Sequence, residues 1–218
     1  MIQTHITIVD ILIKGFIIGV VVSAPLGPVG VLCVQRTLNK GRWYGFVTGL
    51  GAALSDIIYA LLTGYCMSFI SDIIAVHIML FQWMGSAMLL AFGIYTFRSN
   101  PVKSLRPISG TKGTYLHNFL TAFLVTVSNP LIIFLFVGFF ARFSFADPSQ
   151  HLYEQISSYF AIALGALTWW FCITFFVSKL RTRFDVRGIW LINRAVGTVV
   201  IVVSLIGAVL TYLGNSMY

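Results

Sequence analysis

Long apolar runs, broken at short intervals by polar clusters, organise this chain from end to end. Six stretches, at about 11–35, 43–66, 73–97, 115–141, 156–178 and 189–213, hold few charged residues. Each is long enough to cross a hydrocarbon core, which takes about 20 mostly apolar residues. The joints between them are short. The longest, about 98–114, carries Asn100-Pro101, Arg106-Pro107 and Ser109-Gly110, a loop composition rather than that of a folded domain. The pattern predicts an all-α polytopic membrane protein, with six transmembrane helices in a single membrane domain over 1–218.

Composition agrees with this reading. The chain is 58% hydrophobic and 9% charged, against roughly 25% charged in soluble domains, too little polar surface to face water. A net charge of +8 invites a nucleic-acid partner, but its distribution argues otherwise. Arg36, Lys40 and Arg42 sit at the first joint, Arg98, Lys103, Arg106 and Lys112 at the third, and Lys179, Arg181, Arg183, Arg187 and Arg194 around the fifth. Only Lys14 and Arg142 of the 14 basic residues fall elsewhere. The second joint has Asp72 and no Lys or Arg, and the fourth sets Arg142 against Asp147 and Glu154. Loops rich in Lys and Arg stay cytoplasmic. Joints one, three and five are therefore expected in the cytoplasm and both termini outside, in a cell membrane (the inner one where there are two). The charge is a topology signal, and no nucleic-acid partner is expected. The first stretch is too long for a signal-peptide core and no small-x-small cleavage site follows it, so it is expected to be retained. Cys33, Cys66 and Cys172 are scattered and odd in number, giving neither a disulfide framework nor a metal spacing.

A three-helix unit reverses direction in the membrane each time it repeats, which invites a comparison of two halves, about 11–97 and 115–213. The first helix of each half holds a proline site: Ala24-Pro25-Leu26-Gly27-Pro28 in one, Ser128-Asn129-Pro130 in the other. Leu50-Gly51-Ala52-Ala53-Leu54 matches Leu164-Gly165-Ala166-Leu167 in the second helices. Trp83-Met84-Gly85 and Ala195-Val196-Gly197 stand near the starts of the third. The matches agree in order and predict two inverted three-helix repeats, with helices 1 and 4 broken by prolines.

Proline lacks an N–H and clashes with the carbonyl four residues back. In a helical register Pro25 and Pro28 free the carbonyls of Val21 and Ala24, and Pro130 frees that of Thr126. Such groups are tolerated at membrane depth only against protein or a water-filled cavity. Each break also starts a half-helix whose N-terminal N–H groups attract anions. Paired broken helices at corresponding positions of two halves point to a transporter binding site; the plainer alternative is a pair of packing kinks. Asp56 is the only carboxylate deep inside a span, and Gly45, Gly49, Ala52 and Ala60 share its face, the small-residue face that packs on neighbours. Intramembrane carboxylates mark ion or substrate paths, so Asp56 is a candidate to bind a substrate ammonium or to carry a proton. A protonated structural acid is the alternative. Tyr59, one turn on, is placed to orient it.

Arg36 and Arg194, at the expected cytoplasmic edges, read first as snorkelling side chains and second as capture points for a substrate carboxylate. Gln35, Gln82, Asn118 and Asn193 read as interhelical hydrogen-bonding groups, and the tryptophans as interface belt or packing. His5, His77 and His117 receive no role. There is no GxxxxGK[ST] loop to bind nucleotide and no HExxH cluster, and one buried carboxylate makes no acid–base pair. An enzyme is not expected, nor a cofactor or resident metal.

One group of residues resembles a known family. Pro25-Leu26-Gly27-Pro28-Val29-Gly30, followed by Arg36-Thr37-Leu38, Gly41-Arg42 and Gly45-Phe46, resembles the N-terminal signature of LysE/RhtB-type amino-acid exporters. Gly49, Gly51 and Asp56 resemble that family's second helix. Asn129-Pro130 with Phe134, Phe139 and Phe140 resembles its fourth, and Asn193 with Gly197 its last. Leu26 is inserted into the family's Pro-Gly-Pro core, and Leu131 stands where lysine often follows Asn-Pro. The resemblance implies export of amino acids or similar small metabolites, driven by a proton or ion gradient rather than ATP. On this reading Pro25, Gly27, Pro28, Asp56, Asn129 and Pro130 bind substrate, Asp56 couples protons, and Arg36 and Arg194 are candidates for substrate capture. The partners are a small-molecule substrate and the lipid bilayer, with a homodimer left open. The rival readings are export of a metal cation of the cadmium type, for which one carboxylate and three scattered cysteines make a poor site, and a non-transporting membrane scaffold.

Overall fold

The apolar stretches become helices, two of them sharply bent. The computed structural model describes residues 8–25, 27–69, 73, 76–99, 113–129, 131–143, 152–179 and 186–213. Eight helices lie among these: α1 (Ile8–Ser23), α2 (Pro28–Lys40), α3 (Arg42–Phe69), α4 (Ile78–Arg98), α5 (Tyr115–Val127), α6 (Leu131–Phe143), α7 (Leu152–Lys179) and α8 (Val186–Tyr212). Four of them, α3, α4, α7 and α8, are each long and apolar enough to cross a membrane. The pair α1–α2 is bent by 79° and the pair α5–α6 by 66°, which makes up to six spans if each bent pair is one. The chain is a multi-pass membrane protein.

The breaks follow from local chemistry. Pro28 opens α2 at its first helical position, where a missing N–H is harmless. Gly41 divides α2 from α3 at φ +102°, a conformation that a side chain disfavours. Pro130 lies outside the described residues, but α5 stops at Val127 and α6 starts at Leu131 around it.

Glycines let the helices approach closely, as is usual where lipid gives no hydrophobic drive to helix pairing. A Cβ on Gly51 of α3 would collide with the Phe119 carbonyl oxygen of α5 and lie 3.1 Å from the Phe123 amide nitrogen. A Cβ on Gly165 of α7 would collide in the same way with the Phe16 carbonyl oxygen of α1 and lie 3.0 Å from the Val20 nitrogen. Between α4 and α8, a Cβ on Gly93 would stand 3.0 Å from Ile201 N, and one on Gly197 would stand 2.6 Å from Phe97 N. Gly93 rather than Gly85 therefore faces α8 beside Gly197; Gly85 packs on α6, against Gly138 and Ala141. Helix pairing shares this pattern. α1 packs on α7 as α5 packs on α3, and α2 touches α7 and α5 as α6 touches α3 and α1. Two extensive pairings lack a counterpart of similar extent, α2 along α3 and α6 along α4, and so does the slight contact of α1 with α3.

The larger core centres on α6, whose Leu135, Phe136, Phe139 and Phe140 are buried against Ile18, Leu89 and Ile162. Outward faces carry exposed apolar side chains such as Ile17, Leu62, Leu124, Phe160 and Val202, the surface a lipid environment requires.

Candidate functional site

Asp56 lies midway along α3, only 4% exposed. Ser23, the last residue of α1, donates its hydroxyl to Asp56 Oδ2 at 2.7 Å. Oδ1 has no hydrogen-bond partner among the described residues. A carboxylate held by one neutral donor inside a membrane protein is an incomplete electrostatic arrangement, open to a cation or a proton. The orienting group is Ser23, not Tyr59. The Tyr59 hydroxyl donates instead to the Val127 carbonyl, at the end of α5, satisfying a backbone group at the second break.

The two breaks are finished differently. Gly27 caps α2 with no side-chain hydrogen bond. The helical ladder begins with Val31 N–H on the Gly27 carbonyl at 3.0 Å, so Val29 and Gly30 occupy the first turn, where N–H groups precede that ladder. At the second break Asn129 Oδ1 accepts from Leu131 N–H at 3.2 Å, a side-chain cap on α6. Asn129 N–H donates to the Thr126 carbonyl at 3.0 Å. The carbonyl that a proline at 130 was expected to free is therefore occupied.

Both breaks open on one cavity of about 270 Å³, at the small end of the range for small-molecule sites. Pro25, Gly27, Pro28, Val29 and Gly30 line it from the first break, and Thr126, Asn129 and Leu131 from the second. Ser23 and Asp56 stand on one wall, and Trp170 of α7 also contributes. Phe92, Tyr95 and Thr96 from the end of α4, with Ser99 and Asn193, complete it. The cavity thus occupies the gap between the start of α2 and the α4–α8 pair. Of the residues expected to bind substrate, Pro25, Gly27, Pro28, Asp56 and Asn129 line this cavity; Pro130 falls outside the described residues.

Arg36 and Arg194 do not line the cavity. Arg36 turns inward rather than snorkelling: Nη1 donates to Thr48 Oγ1 at 3.0 Å and to the Asn118 carbonyl at 2.9 Å, and Nη2 to Thr121 Oγ1 at 2.7 Å. Three good acceptors on α3 and α5 outweigh the pull of the surface. Arg194 lies over the Trp190 ring at 4.2 Å and the Phe97 ring at 4.8 Å, a cation–π arrangement. Gln82 does join helices, since Thr211 Oγ1 of α8 donates to its Oε1 at 3.3 Å. Among the described residues no three His, Cys, Asp or Glu side chains gather as a metal site.

Ser23, Tyr95 and Thr96 escaped the sequence reading, which took Trp170 for belt or packing and named Thr126 only for its carbonyl. Hydroxyls in membrane helices commonly bond their own preceding turn, as Thr126 does with the Ala122 carbonyl at 2.8 Å, so a serine or threonine gives little positional signal. The one available sign at Ser23 was its place directly before the proline site.

Comparison with known proteins bears on what such a cavity serves. The family model described as LysE type translocator matches residues 20–214. The chain is 27% identical over 176 residues to the Bacillus subtilis (strain 168) "Putative amino acid efflux protein YcgF", covering 79% of this chain and 82% of that one. No solved structure matches.

Proposed function

Because the chain belongs to the LysE type translocator family, we propose that it is a secondary transporter that exports amino acids or similar small zwitterionic metabolites, coupled to the proton gradient by alternating access. The observation that carries this reading is the single cavity joining Asp56 to the uncapped start of α2. A helix N-terminus attracts an anion, and a half-satisfied buried carboxylate attracts a cation. A zwitterion offers both poles at once. Asp56 holds the substrate ammonium in one phase of the cycle and a proton in another, so its carboxylate has a positive partner whenever the site changes sides. The related efflux protein supports the direction of transport.

The six spans are read as two inverted repeats, α1–α4 and α5–α8. The equivalent collisions at Gly51 and Gly165 support this reading, as do the corresponding helix pairs. Asp56 and Trp170 then take corresponding positions, one on each wall. The basic joints put the ends of α2, α4 and α7 at the cytoplasm. Tyr95, Ser99 and Asn193 lie at that end of the cavity, which therefore takes up solute from the cytoplasm. Both chain termini lie outside, and the membrane is that of the cell.

The test is reconstitution of purified protein into liposomes loaded with a panel of labelled amino acids, with and without an imposed proton gradient. Gradient-dependent release of at least one is expected. Inserted protein that moves none sinks the reading, and cysteine mapping that puts either terminus in the cytoplasm sinks the orientation.

A further inference from the structure

We infer that Arg36 and Arg142 are a pair of latches, one on each face of the membrane, which hold the same state of the transport cycle and release together. The inference rests on the alternating-access reading above and deepens it. Helix pairing in the two halves corresponds except at three places: α2 lies along α3 with no equally close α6–α7 pairing, α6 lies along α4 with no matching α2–α8 pairing, and the slight α1–α3 contact has no α5–α7 counterpart. The large misfit thus lies at the two short half-helices. Where α2 stands away from α8 the cavity opens, bounded by Pro28 and Asn193. On the opposite side, α6 fills the equivalent space with Phe136, Phe139 and Phe140. Exchanging the two placements, with α2 onto α8 and α6 onto α7, closes the first side and opens the second.

Beyond its apolar packing, each half-helix carries one arginine hydrogen-bonded to neighbouring helices. Arg36 ties α2 to Thr48, Thr121 and the Asn118 carbonyl. Arg142, 1% exposed, ties α6 to Thr211 of α8 at 2.7 Å. Thr211 in turn reaches Gln82 of α4. Thr48 belongs to the first turns of α3 and Gln82 to the first turns of α4. Successive spans start on opposite faces, so the two latches lie on opposite sides of the membrane. Hydrogen bonds from an ionised donor are strong, and a buried cation that loses its acceptors is costly. Neither helix leaves its place without its arginine finding new partners.

Cys33 supplies the reporter. It is 1% exposed, on α2 where that helix meets α3, with Sγ donating to the Gly45 carbonyl at 3.3 Å. With Cys66 and Cys172 replaced by alanine, its labelling by a membrane-permeant maleimide in proteoliposomes reports undocking of α2. Arg36→Gln is expected to speed labelling roughly tenfold, the factor set by losing one charge-assisted hydrogen bond or more. Arg142→Gln, on another helix and the other face, is expected to speed it severalfold too. Thr211→Val, which removes the acceptor and leaves the arginine, makes the same test should Arg142→Gln not insert. Faster labelling in the Arg36 variant alone is local loosening and overturns the pairing; an unchanged rate in the Arg36 variant overturns the latch itself. Efflux of the labelled amino-acid panel by the two-alanine parent is scored separately. Labelling that responds in both variants while no amino acid moves leaves the latches standing and removes the substrate assignment.

Discussion

The first break and the second each lie between a helix that ends near the cavity and one that starts there. At the first, glycine closes the turn and the start of α2 has no side chain folded over it. At the second, Asn129 covers the start of α6 with its own amide oxygen, and Tyr59 reaches across to the Val127 carbonyl. One break is left chemically unfinished and the other is completed by protein. On the proposed function, this contrast puts anion binding at the first break and structural closure at the second, although both look alike as proline sites.

The largest test of this contrast is at the acid that serves the unfinished break. Asp56→Asn removes the charge and is expected to cut gradient-driven efflux by about a hundredfold or more, the scale of losing one partner of a buried pair. Gradient-coupled efflux that persists in the inserted variant removes Asp56 from the coupling role. Next come Gly51 and Gly165, which the proposed repeat makes equivalent. Gly51→Ala and Gly165→Ala each drive a methyl group into a backbone carbonyl, with overpacking costs of about 1–3 kcal/mol. Similar falls in melting temperature, followed by size-exclusion in detergent, are expected for the two; a large difference breaks their equivalence.

Smaller effects separate the breaks themselves. A Cβ at Gly27 meets nothing within 4 Å, so Gly27→Asn adds a cap to α2 without a clash. A cap contributes about 1 kcal/mol, and competition with the substrate carboxylate is expected to raise KM about fivefold while leaving stability equal or higher. Asn129→Ala is expected to do the reverse, lowering stability by about 1 kcal/mol with KM little changed. Equal KM shifts in the two variants would end the distinction. Tyr59→Phe, least of all, strips one bond from the Val127 carbonyl and costs about 1 kcal/mol of stability, with substrate affinity retained.

Much of this was legible before any coordinates. The apolar runs located the helices, the prolines located the bends, and Asp56 stood out as the only carboxylate deep inside an apolar stretch. The Gly51–Gly165 match also holds in the packing, since a glycine under a neighbour's carbonyl has no substitute. The third match slipped from Gly93 to Gly85 for a physical reason. Eight residues turn a helix face by about 80°, so Gly85 meets α6 while Gly93 meets α8, a difference that a short small-residue match does not carry. Ser23 was illegible because its partner is 33 positions away, and Arg36 because its acceptors are hydroxyls and a carbonyl on two other helices. Periodicity reports which face is turned inward, but not what waits there.

The length of α3 and α7 carries a further consequence. Each has 28 residues, about 42 Å at 1.5 Å per residue, against a hydrocarbon core of about 30 Å. Both helices therefore lean or project beyond it, and they pack on each other while carrying Asp56 and Trp170. Bilayer thickness bears on that lean. Lipids with shorter or longer acyl chains should then retune the width of the cavity between them, making the membrane a mechanical setting of the transporter and not just its container.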